Sequence, residues 1–447
     1  MPTSTSDAPV TDKLTRRLAA ARQQTDALFA MVDPDSLYER PIPERHRIVF
    51  YIGHLEAFDW NLLHERVLGV KSFHPEFDRL FAFGIDPVDG GLPSDQPSQW
   101  PSIGAVRDYV NKTRSVLDEK LRDAPDSDYA ARDEFSLGTL LQVAIEHRLM
   151  HAETLAYMLH QLPFDRKIQQ SEAANVITLP VEHRGVEIPG GAVTLGLPRG
   201  GSSFGWDNEY EAHTVNSPAF AIDRYKVTNR QYLEFVAAGG YETRAFWSPD
   251  DWNWKSRQGI SHPAFWKRDG GQWLYRTMFN DIPIPLDWPV YVSHAEAQAY
   301  AKWAEKSLPT EAEWQRAAYG TPRGDERSYP YLYPWGSEAP SSDFGNFDFS
   351  RWNPVPVNAF PRGQSAFGVQ GMVGNGWEWT SSVFAPFPGF EPFPFYRGYS
   401  ADFFDGKHFV MKGGSARTAT CMLRPTFRNW FQAHYQFIYA GFRCVSR

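Results

Sequence analysis

Four stretches in the first part of the chain place apolar residues at three- and four-residue spacing, which is the pattern of amphipathic helices. The first covers about 14–32 and the second about 44–68. The third and fourth follow Ser102 and Ser136, which stand where a serine caps a helix N-terminus. Residues 77–101 carry many glycine, proline and aspartate residues, which predicts an irregular loop. Four long amphipathic helices predict an antiparallel bundle.

Beyond about residue 180 the pattern changes to short runs bounded by glycine and proline, which is typical of β-strands. Strands are predicted within 186–196, 218–229 and 408–417. Short amphipathic helices are predicted within 229–240 and 293–307. The intervening stretches, notably 240–290 and 320–400, are expected to be ordered loops held by tryptophan and tyrosine side chains rather than by strand ladders.

The length supports two domains, because 447 residues exceed what one hydrophobic core usually serves. The predicted organisation is a helical domain over 1–165, a linker over 166–180 and a second domain over 181–447. The fold class is therefore α+β, with a four-helix bundle followed by a domain of short strands, short helices and much irregular structure.

Charge and cysteine content limit the function classes. The net charge of -8, with both signs interspersed, argues against a nucleic-acid-binding surface. No apolar run approaches the length that spans a bilayer, and the N-terminal residues lack the apolar core of a secretion signal. Cys421 and Cys444 are too few for a disulfide framework. These features predict a cytoplasmic protein with neither a nucleic-acid nor a membrane partner, and they carry no information on the oligomeric state.

Three histidines form the clearest candidate site. His147 and His151 lie one helical turn apart within the apolar stripe of 140–158, so both should face a helix-packed interior. His54 lies in a comparable apolar stripe of the second helix, so a three-histidine metal site between facing helices is one interpretation. The alternative is that the pair is a surface feature or two hydrogen-bonded core histidines.

The second half resembles the formylglycine-generating-enzyme (sulfatase-modifying factor) fold, a relative of C-type lectins. The matching motifs are IPGGAVTLG at 188–196, FGWDNE at 204–209, FAIDRYKVTNRQYLEFVAAGGY at 220–241, SLPTEAEWQRAA at 307–318, GMVGNGWEWT at 371–380, and GGS, FRN and GFR near the end. They cover nearly all of 181–447. The resemblance implies an α+β domain of that kind.

The first half is similar to DinB-type four-helix bundles, whose metal site takes three histidines. With both domains, and with the H-x-x-x-H-x-E motif at His147, His151 and Glu153, the chain resembles the sulfoxide synthases of ergothioneine biosynthesis and their relative, selenoneine synthase. The resemblance implies a non-haem iron(II) oxidoreductase in which His54, His147 and His151 hold the iron.

In that family dioxygen is a co-substrate, and a sulfur or selenium atom is joined to C2 of the imidazole ring of hercynine, the trimethylammonium form of histidine. Three neutral imidazoles on one side of an ion leave the opposite side open to substrates. Zinc fits the same ligands but has no redox chemistry with which to activate oxygen. The resemblance therefore implies iron as the cofactor.

The resemblance also implies substrate contacts near the C-terminus. Asn429 and Trp430, which follow Arg428, are carried over as contacts of hercynine. A fixed cation and a carboxylate call for aromatic faces and a few hydrogen-bond donors. Phe431 stands where enzymes that use gamma-glutamylcysteine usually have an acidic residue for the donor's amino group.

Three further positions depart from the ergothioneine enzymes. Met150 stands where a glutamine is expected just before the second histidine of the pair. The expected proton-donating tyrosine is absent from its place, and Tyr396 and Tyr399 are the nearest candidates. The loop LFAFGIDP at 80–87 lacks the expected asparagine and paired tyrosines.

Three of these departures fall where the chalcogen donor should bind, and the loss of the acidic residue favours a 1-seleno sugar, hence the selenoneine branch. Four alternatives remain open. They are a hercynine sulfoxide synthase that uses gamma-glutamylcysteine or cysteine, a DinB-type metal-dependent thiol transferase, a copper oxidase of protein cysteines, and a non-catalytic lectin-like binding protein.

Overall fold

A computed structural model divides the chain into two compact units, with the boundary between Gln170 and Ser171. The first unit is helical, and the second combines short strands with short helices, so the predicted α+β class is confirmed. The residues that the structure describes are 10–84, 92–130, 133–171, 176–178, 180–201, 203–324, 326 and 333–447. Among them, no helix is both long enough and apolar enough to cross a membrane.

The described part of the N-terminal unit contains four long helices and two short ones. They are α1 (Val10–Phe29), α2 (Ile48–Leu63), α3 (Pro75–Phe83), α4 (Ile103–Asp123), α5 (Asp126–Ala130) and α6 (Leu137–Gln161). The long helices α1, α2, α4 and α6 correspond to the four predicted amphipathic stretches. The Ser102 side chain accepts the Ala105 N–H at 3.3 Å, and the Ser136 side chain accepts the Thr139 N–H at 3.2 Å. Both predicted N-caps are therefore present.

Helix α3 corrects the prediction of an irregular loop over 77–101. The His74 side chain accepts the Phe77 N–H at the start of this helix, and Gly84 ends it with a φ of 75°. The Phe81 ring is fully buried against Gly53 of α2. The helix is only nine residues long, so its apolar face is too short to be recognised among the surrounding glycine, proline and aspartate residues, and the contact with α2 stabilises it. Residues 85–87 of the LFAFGIDP stretch lie outside the described residues.

The described part of the C-terminal unit is built from short elements. Its helices are α7 (Asn229–Ala237), α8 (Pro249–Gln258), α9 (His294–Trp303) and α10 (Glu311–Tyr319). Its strands are β1 (Gly185–Ile188), β2 (Gly191–Leu195), β3 (His213–Ser217), β4 (Phe220–Asp223), β5 (Trp266–Asp269), β6 (Gln272–Arg276), β7 (Asp281–Pro283), β8 (Trp377–Val383), β9 (His408–Lys412), β10 (Asn429–Gln432), β11 (Ala440–Gly441) and β12 (Val445–Ser446). Every strand and short helix predicted from the pattern is among them.

The strands form several small sheets. The largest has the order β10-β9-β8-β11, and its β10 strand pairs antiparallel with β9, placing Trp430 opposite Val410. A three-stranded sheet has the order β1-β4-β12, so the first and last strands of the unit flank the same central strand. This closure ties the end of the chain to the start of the unit.

The prediction of loops over 240–290 is wrong in part. Helix α8 and the antiparallel sheet β5-β6-β7 occupy much of this stretch. Their strands are three to five residues long and largely exposed along β5, so the alternation of apolar and polar residues is too short to recognise. Tryptophan still contributes to the packing, since the rings of Trp266 and Trp273 lie 5.6 Å apart across β5 and β6.

Candidate metal centre

Three histidines of the N-terminal unit converge on one point. One nitrogen from each of His54, His147 and His151 lies within 4.8 Å of the other two. His54 comes from α2 and the other two come from successive turns of α6, so two helices supply the set. His54 and His147 are buried, and His151 is partly exposed. The structure thus brings together all three histidines that the sequence singled out.

The orientation of His54 is fixed by the end of α3. Its Nδ1–H donates a hydrogen bond to the Phe81 carbonyl oxygen at 2.7 Å. Because a carbonyl oxygen can only accept, the neutral ring must carry its proton on Nδ1 and leave the lone pair of Nε2 free for a metal ion. That Nε2 lies 3.2 Å from Nε2 of His151. Hydrogen bonding of the second ring nitrogen to a carbonyl is the usual arrangement for histidine ligands.

The ring of His147 is held by stacking. The Phe58 ring of α2 lies parallel to it, with centroids 3.4 Å apart and an interplanar angle of 10°. The His147 and His151 ring centroids are 4.5 Å apart, as expected for neighbouring turns of one helix. These contacts keep the ligand pair on the face of α6 that meets α2.

The electrostatics of the site keep the imidazole rings neutral, which is the form that can bind a metal cation. Burial lowers the pKa of His54 to about 4, against a smaller raising effect of the hydrogen bond to Phe81. Burial, followed by the neighbouring His151 and His54, lowers the pKa of His147 well below its ordinary value. Neutral imidazoles offer lone pairs rather than protons, which a metal ion requires.

The donor set fits a first-row transition metal. Imidazole nitrogen suits zinc, copper, iron and nickel. The Nε2 atoms of His54 and His151 lie 3.2 Å apart, close enough for both to hold one ion. Three protein ligands leave coordination positions for substrates.

Next to the histidines lies a buried charge cluster that the sequence reading did not find. Arg148 is fully buried and donates to Glu56 at 2.9 Å and to Asp59 at 2.6 Å. It also donates to the main-chain carbonyl of Leu55, the residue after His54, at 2.9 Å. A recognisable signal was available, because Glu56 and Asp59 are charged residues in an otherwise apolar helix.

Asn429 and Trp430 lie in β10 of the C-terminal unit. The Trp430 ring stacks on Phe384 with centroids 4.2 Å apart and lies 5.3 Å from the ring of Tyr399 and 5.6 Å from that of Phe403. Asn429 is half-buried, and its side-chain oxygen accepts the Trp430 N–H at 2.9 Å. Trp430 therefore belongs to an aromatic cluster.

The residues on either side of this pair have different surroundings. Arg428 is buried and binds Glu311 through Nε at 2.9 Å and Nη2 at 3.1 Å, which fixes the start of β10 to α10. Phe431 is half-buried and stacks on Tyr435, with ring centroids 5.0 Å apart.

Tyr396 and Tyr399 lie close to each other, with ring centroids 5.6 Å apart. Burial, and then the nearby Asp207, raise the pKa of Tyr396 to about 12, so its hydroxyl keeps its proton at neutral pH. The Asp207 carboxylate accepts the Ser400 hydroxyl at 2.6 Å. Met150, in the other unit, lies on α6 and is half-buried, and its carbonyl accepts the Thr154 hydroxyl at 3.2 Å.

Comparison with family models matches both parts of the chain. A model described as "Sulfatase-modifying factor enzyme 1-like domain" matches residues 173–447, and one described as "DinB superfamily" matches residues 17–155. The two resemblances inferred from the sequence motifs are therefore confirmed.

Several curated relatives match most or nearly all of the chain. A hercynine oxygenase of Mycolicibacterium smegmatis is 34% identical over 447 residues, covering 97% of this chain and 98% of the relative. A hercynine oxygenase of Mycobacterium tuberculosis is 37% identical over 344 residues, covering 76% and 77%. Ergothioneine biosynthesis protein 1 of Neurospora crassa is 29% identical, with 93% of this chain matching 55% of that protein. On these matches the chain, with its DinB-type domain followed by a sulfatase-modifying-factor-type domain, belongs to the hercynine oxygenase family of enzymes.

Proposed function

We propose that this protein joins a chalcogen atom to C2 of the imidazole ring of hercynine, in a reaction that depends on iron(II) and dioxygen. The observation that carries the proposal is the convergence of His54, His147 and His151 in a chain of this family. The substrate is proposed because the relatives that match nearly the full chain are named hercynine oxygenases.

The three imidazoles would hold the iron, and the iron, when bound, supplies the redox chemistry with which dioxygen is activated. At this site the protein itself keeps the imidazole rings neutral and orients them. Burial keeps the pKa of His54 at about 4, and the Phe81 carbonyl holds its proton on Nδ1. The Phe58 ring fixes the plane of His147.

The overall reaction balances with dioxygen as the sole oxidant. The C2–H bond of hercynine and the Se–H or S–H bond of the donor are broken, and a carbon–selenium or carbon–sulfur bond forms. One oxygen atom of dioxygen remains on the chalcogen as a selenoxide or sulfoxide, and the other leaves as water with the two hydrogens. Four electrons pass to dioxygen, two from forming the new bond and two from oxidising the chalcogen.

In the C-terminal unit we assign Asn429 and Trp430 as contacts of hercynine. A trimethylammonium group has no proton to donate, so it is recognised through aromatic faces, and Trp430 supplies a large one. Arg428 is placed to support this pair, since its bidentate contact with Glu311 anchors the start of β10. Tyr396 and Tyr399 are the proposed proton donors.

We further propose that the donor is a 1-seleno sugar, because Phe431 and Met150 each depart from the residue expected in the ergothioneine enzymes. An amino-acid thiol needs counter-charges for its ammonium and carboxylate groups, whereas a sugar needs neutral hydrogen bonds and aromatic faces. The stacked rings of Phe431 and Tyr435 offer such a face and no charge. The second candidate is a hercynine sulfoxide synthase with a thiol donor, which the names of the relatives in ergothioneine biosynthesis favour.

The test is incubation of the iron-loaded full chain with hercynine and each donor in air, followed by mass spectrometry of the product. We expect a carbon–selenium product from the 1-seleno sugar and slower or no turnover of gamma-glutamylcysteine and cysteine. The His54→Ala variant and an oxygen-free mixture serve as controls, and both should give no product. Turnover of a thiol with none of the selenosugar would refute the donor assignment, and turnover without oxygen would refute the oxygenase itself.

A further inference from the structure

The two helices that carry the histidines are joined by the buried charge cluster of Arg148, Glu56 and Asp59. Glu56 and Asp59 are the only charged residues of α2, and both are buried, so they do not serve to solvate a helix face. Arg148 directly follows His147 on α6 and is fully buried. The charges therefore lie beside the ligand positions on both helices.

The guanidinium group of Arg148 binds α2 at three points around His54. Its Nη1 donates to Glu56 Oε1 at 2.9 Å, and its Nη2 donates to Asp59 Oδ2 at 2.6 Å and to the Leu55 carbonyl at 2.9 Å. These three residues of α2 follow His54 directly and span about one helical turn. A planar group with donors in a fixed fork can make all of these bonds in one relative placement of the two helices only.

An apolar contact between two helices does not impose such a placement. Leucine, valine and alanine side chains repeat along a helix, so packed apolar faces have alternative registers about 5.4 Å apart, one helical turn. A shift of that size would remove the 3.2 Å approach of His54 Nε2 to His151 Nε2. Buried ion pairs contribute little net stability compared with apolar residues of similar volume, and their best-attested use is to specify register.

We infer that Arg148 is a positioning residue for the metal centre, which sets the register of α2 against α6 so that His54 meets His147 and His151. The inference rests on the proposed function, because it needs these histidines to bind an ion. It predicts that replacing the Arg148–Asp59 ion pair by apolar side chains lowers the metal affinity without lowering the stability of the fold.

The decisive variant is Arg148→Met combined with Asp59→Leu in the full chain. Among the residues that the structure describes, Asp59 has Arg148 as its ion-pair partner, while Glu56 keeps Arg114 at 2.7 Å and Arg22 at 3.8 Å. The double exchange therefore removes one positive and one negative charge together and strands neither. We expect the urea midpoint of the metal-free protein to stay within error or rise. We expect the affinity for Co²⁺, measured by its absorption bands in competition with a chelator, to fall about 10- to 100-fold.

Two controls separate the possible outcomes. His54→Ala should lose Co²⁺ binding at this site; wild-type affinity in that variant would overturn the metal centre itself, and the inference with it. Tyr129→Phe removes the buried hydrogen bond from this hydroxyl to the Leu121 carbonyl, which joins α5 to α4 away from the histidines, so it should lower the urea midpoint without changing the Co²⁺ affinity. Wild-type Co²⁺ affinity in a folded double variant would overturn the role of Arg148.

If the double variant does not fold, Arg148→Lys decides the matter. Lysine keeps the charge but lacks the fork, so it satisfies the buried carboxylates without fixing three points on α2. We expect this variant to fold and to bind Co²⁺ at least tenfold more weakly, with altered absorption bands. Unchanged affinity and bands in folded Arg148→Lys would contradict the inference.

Discussion

The main-chain carbonyl of Phe81 accepts the Nδ1–H of His54 at 2.7 Å, so a nine-residue helix orients one member of the three-histidine set. The contact depends on the close approach of α3 to α2. A β-carbon on Gly53, which precedes His54, would lie 2.4 Å from the Phe81 ring. Glycine at 53 is therefore required for the hydrogen bond at 54.

We predict that Gly53→Ala weakens metal binding. The added methyl group must displace the Phe81 ring and with it the carbonyl that holds His54, so metal affinity should fall about 10- to 100-fold. Overpacking should also lower the free energy of unfolding by about 1–3 kcal/mol. Isothermal titration with Co²⁺ or Zn²⁺ and urea denaturation measure the two effects. Gly104→Ala is the matched control, since the nearest atom to its β-carbon is 4.0 Å away. Equal metal affinity in the two variants would contradict the prediction.

We predict that the Asp207 carboxyl makes the stability of the C-terminal unit depend on pH. Burial raises the pKa of Asp207 to about 6 from an ordinary value of 3.8. Because the pKa is raised in the folded state, the protonated carboxyl group contributes to the free energy of unfolding. This contribution is fully present below about pH 4 and is lost as the pH rises through 6. Relative to Asp207→Asn, the wild type should therefore lose up to about 3 kcal/mol between pH 4 and pH 6.5. Urea denaturation at both pH values measures the difference.

Asp251→Asn provides a control of opposite sign. Burial alone would raise the pKa of Asp251, but hydrogen bonds from His434 and Ser248 outweigh it and lower the pKa. Its contribution is present above about pH 4 and is lost as the pH falls further. If the stability difference between wild type and Asp207→Asn is the same at pH 4 and pH 6.5, the assigned titration of Asp207 is wrong.

We predict that Trp430→Leu weakens hercynine binding more than donor binding. The indole face is the proposed partner of the trimethylammonium group, and loss of a cation–π contact of about 0.5–2 kcal/mol raises KM for hercynine about 2- to 30-fold. Steady-state kinetics with each substrate varied in turn measures the effect. Phe384→Leu removes the ring stacked on Trp430 and should lower stability with a smaller change in KM. A larger KM effect from Phe384→Leu would shift the substrate contact away from Trp430.

We predict that Phe431→Asp changes the preferred donor. A carboxylate at this position supplies the counter-charge for the ammonium group of gamma-glutamylcysteine, so the ratio of thiol to selenosugar turnover should rise at least tenfold. Phe431→Ala is the matched control, because it removes the ring stacked on Tyr435 without adding charge. Competition between the two donors in one reaction, with both products measured by mass spectrometry, gives the ratio. An equal rise in Phe431→Ala would assign the effect to lost bulk rather than to charge.

We predict that Tyr396→Phe lowers kcat at least tenfold while KM for hercynine changes little. The Tyr396 hydroxyl keeps its proton at neutral pH because its pKa is raised to about 12, as a proton donor requires. Tyr399→Phe preserves the ring that packs on Trp206, with centroids 4.0 Å apart, and removes only the second candidate hydroxyl. Rapid-quench kinetics of both variants identifies which hydroxyl acts. Wild-type kcat in both would exclude these tyrosines as donors.

The helix periodicity, the serine caps and the histidine spacing were sufficient to predict the bundle and the convergence of His147 and His151. These features are local, because residues one turn apart share a face in any helix. The link to His54 was also predictable, since its apolar stripe had to pack against another helix. The motifs of the C-terminal half predicted its fold for a different reason, namely resemblance.

What was missed depends on contacts between distant residues. The nine-residue α3 has an apolar face too short to recognise within a loop-like sequence, and its Phe81 carbonyl is a main-chain atom with no residue-type signal. The guanidinium group of Arg148 binds Glu56, which lies 92 positions earlier in the chain, and Asp59, which lies 89 positions earlier. The two charged residues in an apolar helix were the only local sign of this cluster. Asp207 and Ser400 are likewise 193 positions apart. Such pairs become visible only when the chain is folded.

The ligand set draws on two helices whose contributing histidines, His54 and His151, are 97 positions apart. An ion held by both would act as a cross-link that closes a loop of nearly a hundred residues, and closing such a loop restricts the unfolded chain. Binding of the metal ion should therefore raise the melting temperature of the helical bundle and slow its proteolysis. In the cell, metal supply would then control how long the enzyme survives as well as whether it turns over.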